Sequence, residues 1–245
     1  MKRIELLSAG VLHRNPEPGL RAECAFLPNL APLSDTEVLC VYRLGQAFYS
    51  VDGSLARLRS VDGGATWVRE APVWDPADDE RTYSYSAPHL TRFQTGHLAL
   101  VAFRQDYTDT DLPLFNRETG GVRPHETILF RSRDNGHSWG TPQQLDAPYG
   151  GIANPPSQII ELSDRTWWLA WERWKDWSDK TPLHIKGSFS VSRDQGKSWS
   201  EPADFPSAGD AQLMYSHGRF TKMLDGRIAA LHWTQQVGSG EDLDL

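Results

Sequence analysis

Two acidic residues stand at the ends of strongly apolar stretches and could carry acid/base chemistry. Asp106 follows residues 98–103, and Glu172 follows residues 167–171. Glycoside hydrolysis usually needs one protonated carboxyl group that assists the leaving group and one ionised carboxylate that acts as base or nucleophile. We therefore predict Asp106 and Glu172 as the catalytic pair, with ion pairing to a nearby arginine as the alternative for each.

Three arginines stand near the ends of similar apolar stretches. They are Arg43, Arg104 and Arg173. If these guanidinium groups converge, they suit an anionic sugar, because a planar guanidinium binds a carboxylate through two parallel hydrogen bonds. We predict all three as substrate-binding residues, and local pairing with neighbouring acids is the alternative.

The chain also has enough histidines for histidine acid/base chemistry, namely His89, His125, His184, His217 and His232. His89 and His217 occupy matching early positions in two similar stretches, so we predict that both point into a central channel and contact substrate. A histidine exchanges protons near neutral pH, which a lyase acting on a uronic acid would use. The alternative for each is a hydrogen-bonded histidine in a crowded centre.

Trp174 completes the candidate set, since it follows a tryptophan-rich stretch and would stack on a sugar ring or pack against protein. Alternation along that stretch predicts Trp167 and Trp171 on one face and Trp168 on the other. No short-spaced cluster of histidines and carboxylates predicts a metal site, and no cofactor is expected.

A turn motif of the form Ser-x-Asp-x-Gly-x-(Ser/Thr)-Trp occurs three times, at residues 60–67, 132–139 and 192–199. Asp and Gly favour a tight turn, and the Trp buries a large ring against a sheet. Upstream of each copy, two apolar strands flank a short turn, as at residues 87–103. Each unit therefore holds four strands, A to D, and the motif joins C to D.

Repeated four-stranded antiparallel units predict an all-β fold, a β-propeller. The single domain, residues 1–245, would contain blades at about residues 22–73, 87–146 and 155–205 and a partial blade at 213–245. In the partial blade, Glu241 to Leu245 could begin strand C. Because a propeller removes its sheet edges by closing a ring, we expect a longer protein with about six blades.

The three turn motifs resemble the Asp-box (BNR) repeats of the sialidase-like superfamily, and the resemblance extends over nearly the whole chain. It implies that Asp62, Asp134 and Asp194 are structural and lie on the face away from the active site. It also implies an arginine triad, an Asp acid/base and a Tyr activated by a Glu. Here Phe26 occupies the place of the first arginine, and Asp52 is the residue offered at the place of the Asp.

Topology separates the structural end of each blade from the functional one. The A–B and C–D turns lie at one end, so the B–C loops and the links between blades lie at the other, where we expect the site. The longest B–C loop runs from Arg104 to His125, and Tyr149 is a candidate in one link.

The overall charge of -7 argues against a nucleic-acid partner or an anionic membrane. Cys24 and Cys40 are too few for a disulfide framework. The N-terminal residues lack the apolar core of a secretion signal, so a cytoplasmic location is expected.

We expect a glycan-active enzyme, a glycoside hydrolase of the sialidase-like superfamily that acts on an acidic sugar. The alternatives are a non-catalytic carbohydrate- or protein-binding propeller and a histidine-based polysaccharide lyase. The expected partner is a carbohydrate, with an anionic carbohydrate among the candidates, and the oligomeric state is left open.

Overall fold

The computed structural model describes residues 5–6, 9–146, 152–205, 212–237, 239 and 241–243. Tyr149, Asp244 and Leu245, which the sequence raised as candidates, lie outside these residues. The described residues form β-strands and one short 3-10 helix, Pro76–Asp78. In the described part of the chain, no helix is long and apolar enough to cross a bilayer.

The strands form four antiparallel sheets in chain order. Sheet I contains β1 (Cys24–Pro32), β2 (Val38–Gly45), β3 (Ser54–Ser60) and β4 (Val68–Glu70). Sheet II contains β5 (Tyr83–Arg92), β6 (Leu98–Asp106), β7 (His125–Ser132) and β8 (Gln143–Leu145). Sheet III contains β9 (Ala153–Asn154), β10 (Ile160–Glu161), β11 (Trp167–Arg173), β12 (Lys186–Ser192) and β13 (Ala203–Asp204). Sheet IV contains β14 (Leu213–Lys222) and β15 (Ile228–Gln236).

These pairings confirm an all-β fold built from four-stranded antiparallel sheets. Sheets I and II run in the simple order A, B, C, D, and sheet III does so with its A strand divided into β9 and β10. In sheet IV, an isolated bridge joins Gln235 to Asp242, where the sequence predicted the start of a third strand.

Apolar side chains join each sheet to the next. On β6, Leu98 and Leu100 pack toward sheet I, while Ala99 and Val101 pack toward sheet III. This strand is buried on both faces, as expected when successive side chains point to opposite sides. Burial of one such Leu or Val contributes roughly 1.5 to 3 kcal/mol.

The tryptophans of β11 follow the same alternation. Trp167 and Trp171 belong to the core between sheets II and III, and the Trp167 ring stacks on Phe93 with ring centroids 4.1 Å apart. Trp168 faces the other way, toward Phe220 of sheet IV. The prediction that Trp168 lies on the opposite face from its two neighbours is confirmed.

The eight-residue turn motifs share one hydrogen-bond network. In the first, Asp62 Oδ1 accepts from the Ser60 hydroxyl at 2.7 Å and from the Thr66 N–H at 2.8 Å, and the Thr66 hydroxyl donates to Oδ2 at 2.6 Å. Asp134 and Asp194 accept the equivalent bonds in the other two turns. The carboxylates therefore hold the turns.

The inner strands are bent by bulges. β1, β5 and β14 each change register, and the residue at the start of each bulge has a positive φ: Leu27 (53°), Ala87 (48°) and His217 (52°). Such a conformation is strained for a residue other than glycine. A bulge re-aims the side chains that follow it, and the bulges meet around one cavity.

Candidate functional site

The bulges of the inner strands surround a cavity of about 240 Å³, called the central cavity here. Its walls combine aromatic rings and polar groups. The aromatic rings belong to Phe48, Tyr49, Phe103, Phe115 and Trp174. The polar side chains belong to Asn29, His89, Gln105, His125, Asn154, Glu172, His217 and Arg219. A concave site with apolar walls and a few polar groups is the usual form of a small-ligand site.

Glu172 is the buried acid of the central cavity. It lies near the end of β11, is 3 % exposed, and its Oε1 accepts from the Gly218 N–H at 2.9 Å. Burial raises the pKa of this carboxyl to about 7, although the Gly218 and His217 N–H groups and the Arg219 charge oppose the rise. Protonated and ionised forms therefore coexist near neutral pH, as an acid/base catalyst requires.

His125 stands at the start of β7 and lines the same cavity. Its Nδ1 lies 3.3 Å from the Arg123 carbonyl oxygen, which can only accept, so Nδ1 carries the proton of the neutral ring. Burial lowers the pKa of His125 to about 4, while the Arg123 carbonyl and the Asn154 side chain act in the opposite direction. The ring is therefore neutral at pH 7, with its lone pair on Nε2.

Trp174 follows β11, and its main-chain N–H donates to the Ile152 carbonyl at 2.8 Å. Trp174 lines the central cavity, where an aromatic ring could pack against a sugar, and its role in substrate binding stays a prediction.

His89 and His217 both line the central cavity, but at different positions of their strands. His217 occupies the bulge, as Ala87 does in sheet II, and Arg219 is the equivalent of His89. The prediction that the two histidines occupy equivalent positions is therefore wrong, because His217 lies two residues before the position equivalent to His89. His89 is buried, and burial and then the Arg219 charge lower its pKa to about 3, which keeps it neutral.

Arg219 is the guanidinium that the bulges bring to the central cavity. It donates to the Pro156 and Gly218 carbonyls. It did not enter the predicted site because the sequence gives no sign of the bulge. Aligning the inner strands on that bulge would have placed Arg219 beside His89 and Asn29.

Asp106 lies apart from Glu172. It accepts from Arg81 at 2.9 Å and lines a separate open cleft with Arg81 and Arg123. Hydrogen bonds from Thr108 and then Arg81 lower its pKa to about 2, so it is ionised.

The separation of the two acids follows from strand register. Glu172 pairs with Asn154, and the equivalent pair in sheet II is Phe103 with Ser86, just before the bulge. Asp106 is three residues beyond Phe103, so it projects from the opposite face. The structure therefore does not bring the predicted catalytic pair together in one cavity.

The three predicted arginines are not brought together either. Arg43 pairs with Phe26, which makes it the equivalent of Phe103, whereas Arg104 pairs with Tyr85 one step further along. Arg173 pairs with Ala153 and is the equivalent of Arg104. A one-residue difference in register turns a side chain to the other face of a sheet.

Each arginine has a local setting. Arg43 is buried and donates to the Ala47 and Ser50 carbonyls at 2.7 and 2.9 Å, which supports the B–C loop of sheet I. Arg104 pairs with Asp79 and Glu126 and lies over a tyrosine ring. Arg173 lines a third cleft together with Lys175, His184 and Lys186. Their predicted roles in substrate binding stay predictions.

No cluster of three or more His, Cys, Asp or Glu residues in the described ranges is arranged to hold a metal ion. Cys24 and Cys40 are free thiols, and burial raises the pKa of Cys40 to about 11.

Solved structures share this fold over most of the chain. A protein of unknown function from Dyadobacter fermentans superposes with a TM-score of 0.72 at 18% identity, over 91% of this chain and 64% of its own. A Hadza microbial sialidase gives 0.64 at 18% identity, over 86% and 44%. A Penicillium chrysogenum α-L-arabinanase complexed with arabinobiose gives 0.54 at 14% identity, over 89% and 63%.

These likenesses show a sialidase-like β-propeller fold, and the sialidase and the arabinanase among them are glycoside hydrolases. The chain spans less than two thirds of the length of each of the three structures. No protein-family model matches the sequence, and no curated protein matches it.

Proposed function

We propose that this protein is a glycan-active enzyme, a glycoside hydrolase with a sialidase-like fold, and that it acts in the central cavity. The observation that carries the proposal is the setting of Glu172. This residue has a buried carboxyl group with a pKa of about 7, and it stands on the wall of a cavity with aromatic sides. Perturbed acids in such cavities are typical of catalytic sites.

Glu172 would act as the general acid. In its protonated form it can give a proton to the glycosidic oxygen as the bond to the sugar breaks, and in its ionised form it can take one from water. Among the described residues that line the central cavity, Glu172 is the one carboxyl group. We propose that further blades, about six in all, close the ring and bring the second catalytic group.

Arg219 supports an acidic sugar as the substrate class. It lies close enough to Glu172 and His89 for its charge to lower the pKa of both. A guanidinium in this position would receive the carboxylate of the sugar. Asp106, in its separate cleft, is proposed to hold Arg81 and the start of the long B–C loop rather than to contact the sugar.

The test is the variant Glu172→Gln, which retains an oxygen that can accept from the Gly218 N–H. Release of reducing sugar is measured on a panel of acidic and neutral oligosaccharides. We expect turnover to fall by a factor of about 10² to 10⁴, because the proton donor is lost. The exposed residue Glu201 gives the matched control, Glu201→Gln, with unchanged turnover. Equal turnover by Glu172→Gln and wild type would remove the proposal.

A histidine-based polysaccharide lyase is the second candidate, and the Nε2 lone pair of His125 favours it. A lyase needs a base at the proton beside the carboxylate and a cation that stabilises the resulting charge, and Arg219 lines the same cavity. Products separate the two reactions, since a lyase yields an unsaturated uronic acid with ultraviolet absorbance and a hydrolase does not. Binding of glycan with neither product would indicate a carbohydrate-binding propeller.

A further inference from the structure

Two residues that line the central cavity each carry a buried side-chain nitrogen without a hydrogen-bond partner in the described part of the chain. These nitrogens are Nε2 of His125 and Nε1 of Trp174. Leaving a buried polar atom unpaired costs about 1 to 3 kcal/mol. Two such atoms on residues that line one cavity are a reason to look for a ligand that pairs both of them.

The two atoms are complementary in their hydrogen-bonding roles. His125 Nε2 can only accept while Nδ1 donates to the Arg123 carbonyl. The Asn154 side chain lies near enough to influence the pKa of His125 but makes no hydrogen bond of normal geometry with Nε2. The indole N–H of Trp174 can only donate. A ligand that satisfies both must therefore offer a donor and an acceptor.

A sugar hydroxyl group has both properties, and a carboxylate does not. A carboxylate oxygen has no proton to give, so it would face the Nε2 lone pair without a hydrogen bond. The surrounding surface is apolar, with Phe103, whose ring centroid lies 4.9 Å from that of His125, and with Phe115. Carbon-bound hydrogens of a sugar ring pack well on such a surface.

We propose that His125 and Trp174 form a hydroxyl-binding subsite of the central cavity, which takes an uncharged part of a sugar ring. This inference rests on the proposed function in that it assigns the ligand of the same cavity. His125 accepts from a sugar hydroxyl, and Trp174 donates to a sugar oxygen. The acidic group of a substrate is held elsewhere in the cavity, on the side of Arg219.

The experiment measures binding apart from turnover. Arabinobiose, cellobiose and lactose are the neutral probes, and N-acetylneuraminic acid is the acidic one. Each is titrated into ¹⁵N-labelled protein while the indole N–H signal of Trp174 and the Nε2 signal of His125 are followed by NMR. At least one neutral probe should shift both signals in a saturable way.

Two variants remove the two polar atoms and keep an aromatic ring. His125→Phe and Trp174→Phe should each weaken the binding of that probe by a factor of about 3 to 10, the contribution of one hydrogen bond. Trp139 supplies the matched control, because its Nε1 is also buried and unpaired but it does not line the cavity. Trp139→Phe should bind the probe as wild type does.

The outcomes separate this inference from the proposed function. Saturable shifts at both signals support the subsite. If the protein also hydrolyses no oligosaccharide of the acidic and neutral panel, the hydrolase is overturned while the subsite stands. If the wild type hydrolyses glycan while both Phe variants bind the probe as tightly as the wild type does, the subsite is overturned and the hydrolase stands. Failure of every neutral probe to shift the two signals also overturns the subsite. Glu172→Gln should bind the probe while its turnover is lost.

Discussion

At the scale of single residues, Glu172 has a structural role in addition to the chemical role proposed for it. Its carboxyl group accepts from the Gly218 N–H in the bulge of sheet IV, so it links two neighbouring sheets as well as facing the central cavity. Burial is the largest influence on its pKa. The pKa of Glu172 is therefore linked to the packing of sheet III against sheet IV.

Stability should depend on the charge of Glu172. Its folded pKa, about 7, lies above the ordinary value of 4.5, so the folded protein binds the proton more tightly than the unfolded chain. The stabilisation is complete below the unfolded pKa and is lost as the pH rises through about 7. Across this pH range the free energy of unfolding should fall by on the order of 3 kcal/mol.

Glu172→Gln removes this dependence because glutamine stays neutral. We measure the free energy of unfolding of the variant minus that of the wild type by urea denaturation. This difference should be more positive at about pH 8 than at about pH 5. The same difference between variant and wild type at both pH values would contradict the predicted pKa. Glu201→Gln, at an exposed position, should show no such change.

At the scale of structural elements, the inner strands are tied together by side chains next to the bulges. Asn29 Oδ1 accepts from the Leu90 N–H at 2.9 Å, which joins β1 to β5. The Thr91 hydroxyl donates to the Ile159 carbonyl at 2.8 Å and joins sheet II to sheet III. The cavity walls therefore depend on contacts between blades.

Asn29→Ala should destabilise the protein by about 1 to 3 kcal/mol, because it leaves the N–H of the buried Leu90 unpaired. Thermal unfolding followed by circular dichroism measures the effect. The neighbouring Leu30 is 53% exposed, so Leu30→Ala should change stability far less. An Asn29→Ala protein as stable as Leu30→Ala would show that the bond between β1 and β5 contributes nothing.

The eight-residue turns also connect one sheet to the next. Arg59 of β3 donates to the Asn135 carbonyl in the turn of sheet II at 3.1 Å, and Arg131 of β7 donates to the Gln195 carbonyl in the turn of sheet III at 2.9 Å. The turn and the arginine of the preceding sheet hold each other in place.

Asp134→Ala should lower the melting temperature, because the Ser138 N–H and hydroxyl lose their acceptor. Those bonds, with the one from Ser132, hold the pKa of Asp134 far below its ordinary value. Their stabilisation is present above the unfolded pKa and is lost as the pH falls below it. The difference in melting temperature should therefore shrink in strong acid. Asp35→Ala, at an exposed turn residue, serves as the control.

Repeated local patterns made most of the elements predictable from the sequence. Alternation fixed the faces of Trp167 and Trp168, and the turn motif located the C–D turns. The bulges were not predictable, since Leu27 and Ala87 are residue types that rarely adopt a positive φ, and a histidine such as His217 adopts it only more often than most residues. Without the bulges, Arg219 could not be aligned with His89.

The register of strand pairing explains why Glu172 lies at the central cavity while the arginines predicted to act with it do not. The sequence places Arg43 and Arg104 at the ends of comparable strands, but a difference of one residue directs them to opposite faces. Side-chain direction at a strand end depends on pairing with the neighbouring strand, which a single sequence does not contain.

At the scale of the whole molecule, the four sheets follow one another, and apolar cores join I to II, II to III and III to IV. The outer face of sheet IV differs, because Leu231 is 72% exposed and Trp233 is 61% exposed. In the described part of the chain, β15 pairs with β14 and, around the bridge from Gln235 to Asp242, with residues 241–243. Exposed apolar residues on a sheet edge favour association.

If these 245 residues are expressed on their own, without the further blades proposed above, we expect them to self-associate through sheet IV. Leu231→Gln should reduce the fraction of dimers and larger species in sedimentation velocity experiments, because it places a polar group in the apolar face. Val68 of β4 is 67% exposed in sheet I, so Val68→Gln is the matched control with no effect. An equal distribution of species for the two variants would rule out sheet IV as the contact.

The position of Glu172 between two sheets has a consequence for the stage of folding at which its pKa is raised. Sheet III alone supplies the glutamate, but burial of its carboxyl group involves the bulge of sheet IV. Without sheet IV against it, Glu172 should have the pKa of an ordinary exposed acid and be ionised at neutral pH. We therefore expect the raised pKa on which the proposed proton donor depends to arise only when the two sheets pack around this carboxyl group.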